Sequence, residues 1–151
     1  MKYDEFMKVA IEAAEQAAER DEVPVGAVMV NNHEIISIQG NRTRELNDPT
    51  AHAEILCIRE ACQKLGAQRI PSCDLYVTLE PCTMCAAAIS FARIKMLGIG
   101  ALDEKGGGVI HGIKFFSQPT CHHKNIEIET GILETECAKI LKSFFKAKRQ
   151  S

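Results

Sequence analysis

Several features that would assign the protein to a special class are missing from its 151 residues. No apolar run approaches the roughly 18 residues that a membrane-spanning helix needs. The first 20 residues carry five acidic side chains and lack the unbroken apolar stretch of a signal peptide. Repeats, low-complexity tracts and linkers are missing too, so we expect a single domain over residues 1–151, located in the cytoplasm.

The chain also lacks an excess of charge or of disorder-promoting residues. Hydrophobic residues make up 46% and charged residues 25%, which are ordinary values for a globular domain. The formal net charge of −2 gives no general sign of a nucleic-acid partner. The last segment is nevertheless basic, because no acidic residue follows Glu136 whereas five cations do: Lys139, Lys142, Lys146, Lys148 and Arg149. An anionic partner and a helix C-terminus that favours cations explain this segment equally well.

Seven cysteines are an odd number, and cytosolic proteins rarely contain stable disulfides. The cysteines therefore indicate metal ligands or buried thiols. Only one Cys-x-x-Cys pair occurs, Cys82 and Cys85, so a structural zinc site with four matched ligands is not indicated. We interpret the other five as ordinary small residues that are often buried: Cys57, Cys62, Cys73, Cys121 and Cys137.

The pattern of apolar residues predicts alternating helices and strands. Helices are predicted over residues 4–20, 51–65, 81–93 and 133–148, and strands over 25–30, 34–39, 74–79, 94–99 and 125–129. Residues 101–113 form a predicted glycine-rich loop. This order indicates an α/β fold with helices on both faces of the sheet. The first two strands predict an antiparallel hairpin, which makes the sheet mixed.

Cys82 and Cys85 lie where the third helix should begin, directly after Pro81. A helix N-terminus favours thiolates, and two soft sulfur ligands one turn apart suit Zn²⁺. A redox Cys-x-x-Cys pair is the alternative for this segment, because it also prefers a strand-to-helix junction.

His52 would complete a set of three zinc ligands, which is typical of catalytic sites that keep a fourth position for water. Glu54 is two residues further on, so the two side chains can converge only if His52 lies outside the regular helix. A carboxylate at that place can pass a proton from the water to the substrate. Taken alone, His52 could be a helix cap and Glu54 an acid favoured by the helix dipole.

His-x-Glu followed downstream by Pro-Cys-x-x-Cys is the known signature of the zinc-dependent nucleobase deaminases. The chain closely resembles the bacterial tRNA-specific adenosine deaminase family over most of its length. The similarity includes segments 22–28, 47–55 and 75–86 and the pairs Asn41-Arg42 and Phe144-Phe145. The resemblance implies a cytidine-deaminase-like three-layer α/β/α sandwich with a mixed five-stranded sheet.

The resemblance also implies the roles of individual residues. His52, Cys82 and Cys85 would hold one Zn²⁺ per subunit, and Glu54 would be the catalytic proton shuttle. The substrate-binding residues would be Asn41, Ala53, Val28, Asp103 and Phe145. The substrate would be the wobble adenosine in a tRNA anticodon stem-loop, deaminated to inosine by a homodimer.

An RNA substrate is supported by Phe144-Phe145 in the basic C-terminal segment, because aromatic side chains beside cations can stack on unpaired bases. Packing of both rings in the core is the alternative, although neighbouring helical residues face different ways. The sequence departs from the family at Leu102, at Gly106-Gly107-Gly108 and at His122-His123. The three glycines predict a more mobile loop at the RNA-binding edge. These departures leave open a deaminase of a free base or nucleoside such as guanine, cytosine or cytidine. A zinc protein without activity is disfavoured by Glu54.

Overall fold

The computed structural model describes residues 2–150, so the two ends of the expected domain, Met1 and Ser151, lie outside it. The helices are α1 (Lys2–Glu19), α2 (Ala53–Leu65), α3 (Thr83–Ala92) and α4 (Glu134–Gln150). The strands are β1 (Gly26–Asn31), β2 (Glu34–Gly40), β3 (Cys73–Leu79), β4 (Met96–Ala101) and β5 (Glu127–Glu129). Within these residues, none of the helices is both long enough and apolar enough to cross a membrane.

The five strands form one mixed sheet in the order β2-β1-β3-β4-β5. β1 pairs antiparallel with β2 and with β3, whereas β3, β4 and β5 run parallel to one another. α1 and α4 cover one face of the sheet, and α2 and α3 cover the other. The prediction of a three-layer sandwich with a mixed five-stranded sheet is confirmed.

The alanines of α1 let this helix approach the sheet closely. Ala10, Ala13, Ala14 and Ala17 are buried, and a Cβ atom at Gly26 in β1 would collide with the backbone carbonyl of Ala10. Small residues on both sides of this contact therefore allow the helix backbone to rest on the strand.

The structure moves several predicted boundaries by two residues. α2 and α3 begin two residues later than predicted, at Ala53 and Thr83. β4 is displaced by two residues at both ends, to Met96–Ala101. Boundaries of this kind are poorly fixed by periodicity, because the apolar pattern does not mark where backbone hydrogen bonding starts. A short 3₁₀ helix, Phe115–Ser117, was not predicted.

Candidate metal centre and substrate pocket

Two helix N-termini bring the candidate metal ligands together. His52 is the N-cap residue of α2 and Cys82 is the N-cap residue of α3, both with extended backbone (ψ 153° and 174°). His52 thus lies outside the regular helix, as its convergence with Glu54 requires. The third helix was predicted over residues 81–93 and would have included Cys82, but Cys82 precedes α3, and of the two cysteines only Cys85 belongs to the helix.

The three side chains form one cluster. The Nδ1 atom of His52 lies 3.7 Å from the Sγ atom of Cys82 and 3.5 Å from that of Cys85. One ligand atom from each residue lies within 4.8 Å of the other two, so the cluster could hold a metal ion. Cys85 is buried, whereas His52 and Cys82 are half-buried and face the pocket.

The thiols differ in their readiness to ionise. A hydrogen bond from the Cys85 thiol lowers the pKa of Cys82 to about 4. His52 contributes to this shift, and burial opposes it. The same hydrogen bond and burial raise the pKa of Cys85. The hydrogen bond to Cys82 raises the pKa of His52. Cys85 therefore holds its proton more tightly than Cys82 does, because a second negative charge beside the Cys82 thiolate would be repelled.

Glu54 lies in the first turn of α2, where 3% of its surface is exposed. Burial raises the pKa of its carboxyl group to about 7. A hydrogen bond to its own backbone and the charge of His52 oppose this shift, whereas the charge of Cys82 adds to it. A carboxyl group with such a pKa can both accept and donate a proton near neutral pH.

A pocket of about 290 Å³ opens above the cluster. It is lined by Val23, Val25, Asn41, Thr43, His52, Glu54, Leu79, Glu80, Cys82, Asp103 and Gly106. Pockets of this size, with a few convergent polar groups, are typical of small-ligand sites. Here the ligand would rest directly against Glu54 and the candidate metal ligands.

Val28 does not line this pocket, contrary to the expectation from the resemblance. It is fully buried on β1 and packs on the other face of the sheet, against Met7 and Ala10 of α1. Side chains alternate between faces along a strand, and the register of β1 turns Val28 towards α1. Val23 and Val25, which precede β1, supply the apolar wall of the pocket instead.

Asn41 and Ala53 are joined by a hydrogen bond. The backbone N–H of Ala53 donates to Oδ1 of Asn41 over 2.8 Å. This bond satisfies one of the free N–H groups at the start of α2, where His52 makes no side-chain cap. The N–H group of Ala53 is therefore already engaged, while the Nδ2 amide of Asn41 can still donate to a ligand.

The glycine-rich loop lies tightly against the site. A Cβ atom at Gly107 would collide with the carboxylate of Glu80, and one at Gly108 would come within 2.8 Å of the Thr83 Cα atom. These glycines thus allow close approach of the loop backbone to the start of α3. The expectation that they make the loop more mobile is therefore replaced by a packing explanation.

Asp103 and Phe145 lie on a shallow groove beside the pocket. The groove has a volume of about 320 Å³. Its lining comprises Leu79, Ala101, Leu102, Asp103, Glu104, Lys105, Ala138, Leu141, Lys142 and Phe145. Leu79 and Asp103 also line the pocket, so the two depressions adjoin. Phe145 is 44% exposed here, whereas Phe144 is half-buried and faces α1.

Several lining residues were missed by the sequence interpretation. Val23 and Val25 precede β1, and Thr43 lies in the loop after β2. Leu79 is the last residue of β3, and Glu80 follows it. Their place in the sequence could have identified them. They lie just before or after predicted strands, at the same end of the sheet as the two predicted helix starts. His111 received no role from the sequence, and its side chain contacts Glu80.

The chain is similar to known deaminases along almost its whole length. The family model of the MafB19-like deaminases matches residues 1–149. The tRNA-specific adenosine deaminase of Agrobacterium fabrum is 61% identical over 144 residues, which cover 95% of this chain and 94% of that protein. The protein of the same name from Aquifex aeolicus is 46% identical over 146 residues, covering 97% and 95%.

Two solved structures illustrate the likeness. One comes from a study of A-to-I editing by tRNA:A34 deaminases at the wobble position of transfer RNA. It is 61% identical with a TM-score of 0.89, and the match covers 91% of this chain and 99% of that one. The guanine deaminase of Nitrosomonas europaea is 20% identical with a TM-score of 0.81, covering 93% and 83%, which shows a shared fold alone.

The bond between Asn41 and Ala53 leads to a stability prediction. Asn41→Ala leaves the buried N–H of Ala53 without its acceptor, so we expect the free energy of unfolding to fall by about 1–3 kcal/mol. Urea denaturation followed by circular dichroism measures this change. Asn125→Ala removes an exposed asparagine and should alter stability by less than about 0.5 kcal/mol. Equal stability of the two variants would contradict the assigned role of Asn41.

Proposed function

We propose that this protein converts the wobble adenosine of a tRNA anticodon loop to inosine by hydrolysis, because the chain belongs to the family of the bacterial tRNA-specific adenosine deaminases. The observation that carries this proposal is the position of Glu54. Its buried carboxyl group lies beside a cluster of one histidine and two cysteines, at the base of a pocket large enough for a nucleobase. We further propose that residues 1–151 form one catalytic domain.

The donor set of the cluster fits zinc. Two sulfur atoms and one imidazole nitrogen are ligands that Zn²⁺ prefers, and three protein ligands leave one position open. We propose that His52, Cys82 and Cys85 hold one Zn²⁺ per subunit. When bound, zinc supplies a Lewis acid that lowers the pKa of a coordinated water to about 7.

Glu54 is the proposed catalytic residue, and its work is proton transfer. It takes a proton from the water whose oxygen forms the new bond to C6 of adenine. It then delivers this proton to the ring nitrogen, and it transfers the remaining proton of the new C6 hydroxyl to the departing amino group, so that the C6–N bond breaks, the C6 carbonyl forms and ammonia leaves. A carboxyl group with a pKa of about 7 suits both directions of transfer.

Asn41 and the apolar wall would orient the base. The Nδ2 amide of Asn41 is the proposed donor to the purine, since its Oδ1 atom is held by Ala53. In this proposal the N–H group of Ala53 keeps Asn41 in place and does not itself bond to the base. Val23 and Val25 would pack against the purine.

The groove beside the pocket is the proposed contact for the neighbouring nucleotides. Phe145 offers an exposed ring for stacking, and Lys105 and Lys142 on the same groove can neutralise phosphates. Asp103 lines both pocket and groove, at the point where the target nucleotide would meet the next one. Lys148 of the basic segment is already paired with Asp21.

We propose that the protein is a homodimer joined through α2 and α3. Phe91 is 65% exposed at a surface depression that also contains Ile55, Ile58 and Ala88. An aromatic side chain in an exposed apolar patch is typical of an interface, and a second copy of the same face would cover it. We also propose a cytoplasmic location, since none of the seven cysteines in the described residues is paired in a disulfide.

Zinc content tests the proposed ligands. The purified protein should contain about one zinc per chain, and Cys85→Ser should lose most of it, because serine is a far weaker ligand at neutral pH. Elemental analysis by mass spectrometry measures the ratio. Cys62→Ser, at a half-buried cysteine elsewhere on α2, should keep its zinc. Zinc retained in full by Cys85→Ser would refute the ligand set.

The reaction is tested with an anticodon stem-loop that carries adenosine at the wobble position. Inosine should form in this RNA, and Glu54→Gln should slow its formation by about 10²–10⁴-fold, because glutamine cannot transfer the proton. The nucleosides are quantified after digestion of the RNA. Free adenosine, cytidine and guanine are assayed in parallel. Ammonia released from one of these while the RNA stays unchanged would show a small-molecule deaminase instead.

Phe145→Ala should raise the KM for the stem-loop roughly tenfold, because the stacking of one base on an aromatic ring is lost. Its zinc content should equal that of the unaltered protein. Phe144→Ala is the matched control, since Phe144 faces α1 and lies under Lys148. It should lower stability and leave KM nearly unchanged. An unaltered KM in Phe145→Ala would remove Phe145 from the RNA site.

Phe91→Asp should convert the dimer to a monomer, because a charge would be buried in the proposed interface. Light scattering coupled to size-exclusion chromatography gives the mass. Phe145→Asp is the matched control, since it places the same charge at an exposed phenylalanine outside this face. A monomeric unaltered protein, or a dimeric Phe91→Asp variant, would contradict the proposal.

A further inference from the structure

Two buried glutamates hold the two loops that border the pocket. Glu22 is 1% exposed, and its carboxylate accepts hydrogen bonds from the backbone N–H groups of Arg44 and Glu45, over 3.2 and 2.8 Å. This fixes the loop that follows Asn41. Glu80 is 2% exposed and plays the corresponding part on the opposite side. The Glu80 carboxylate accepts more hydrogen bonds than the Glu22 carboxylate does.

The Glu80 carboxylate is surrounded by donors from the loop of residues 102–112. The backbone N–H groups of Val109, Ile110 and His111 donate to Oε2 over 3.2, 2.9 and 2.9 Å. The N–H group of Asp103 donates to Oε1 over 3.0 Å. The loop therefore closes around one buried side chain from its first residues to its last ones.

The side chain of His111 adds a fifth donor. Its Nδ1 atom lies 2.9 Å from Oε1 of Glu80, and a carboxylate can only accept, so this nitrogen carries the hydrogen. The Glu80 carboxylate thus accepts five hydrogen bonds, four from backbone N–H groups and one from an imidazole. A carboxylate surrounded by donors in this way makes short, charge-assisted hydrogen bonds, which are stronger than bonds between neutral groups.

The same loop carries two residues of the pocket wall. Asp103 and Gly106 line the pocket, and Oδ1 of Asp103 accepts the N–H groups of Lys105 and Gly106 over 3.1 and 2.9 Å. The hydrogen bond from the N–H group of Asp103 to Oε1 of Glu80 anchors this turn to the site. A displacement of the loop would therefore open the wall between the pocket and the groove of Phe145.

We propose that Glu80 and His111 act together as positioning residues that hold the loop of residues 102–112 in the shape that captures the substrate. This inference rests on the proposed function for the identity of the substrate, but the arrangement of the loop is independent of it. Neither residue touches the reacting atoms in this proposal. Their effect is to keep the pocket wall formed before the RNA arrives.

A preformed wall should act on capture rather than on the chemical step. If only a fraction of the molecules has the wall in place, the apparent dissociation constant rises in inverse proportion to that fraction. Once the substrate is bound, Glu54 and the cluster are unchanged, so kcat should stay the same. The signature of loosening the loop is therefore a higher KM at constant kcat.

The test compares His111→Ala with His111→Asn. Alanine removes the donor, whereas the Nδ2 amide of asparagine can replace Nδ1 of histidine in the bond to Glu80. His33→Asn, in the exposed turn between β1 and β2 at the other end of the sheet, is the control. Glu80→Gln, which removes the charge and keeps the size, is the second probe. Hydrogen–deuterium exchange of residues 103–112, zinc content and stem-loop kinetics are measured for each protein.

We expect His111→Ala to speed exchange of the loop amides about tenfold and to raise KM by about the same factor, since a hydrogen bond to a charged group is lost. Its kcat and zinc content should be unchanged. His111→Asn should restore both values, and Glu80→Gln should show the larger effect. Unchanged loop exchange in His111→Ala, or failure of His111→Asn to restore it, would overturn the proposal. A higher exchange rate with unchanged KM would overturn the link to substrate capture. Absence of deamination by the unaltered protein would instead refute the proposed function.

Discussion

The meeting of two helix N-termini at one edge of the sheet is the constraint on which the candidate site depends. His52 and Cys82 each occupy the residue before a helix, where the backbone is extended and the side chain is free to leave the helical path. Cys85 lies in the first turn of α3, and Glu54 lies in the first turn of α2. Packing of α2 against α3 on the same face of the sheet then brings these four side chains together. The packing of the layers is thus sufficient to bring residues that are far apart in the sequence together in one site.

Burial turns this geometry into chemistry. A carboxyl group in water would be fully ionised at neutral pH, whereas removal from solvent brings the pKa of Glu54 to about 7. The opposite outcome occurs at Glu80, which is equally inaccessible but receives five hydrogen bonds and stays charged. The two buried glutamates therefore differ in pKa because burial is the dominant influence at Glu54, whereas hydrogen bonds from N–H donors outweigh burial at Glu80. The first suits proton transfer, and the second suits the support of a loop.

The apolar periodicity predicted the order of helices and strands and a mixed sheet, because it reports on local structure. The convergence of His52, Cys82 and Cys85 was predicted from the known deaminase signature, since His52 lies 30 positions from Cys82 and 33 from Cys85. It failed where tertiary packing decides. Val28 was expected in the pocket, but which face of the sheet a strand residue occupies depends on register, which the apolar run Val25–Val30 does not reveal. The glycines at 106–108 were interpreted as a sign of a mobile loop. Their close neighbours Glu80 and Thr83 show that glycine is needed there for the loop backbone to pack against the site. His111 had no interpretation, because its partner lies 31 positions earlier in the chain.

The central claim is that water, activated beside Glu54, replaces the amino group of one adenosine. The most direct measurement is to run the stem-loop reaction in water enriched in oxygen-18 and to determine the mass of the inosine formed. The account predicts one heavy oxygen in the wobble nucleotide and in no other nucleotide of the RNA. Inosine without the heavy oxygen, or no change of the wobble adenosine at all, would contradict it.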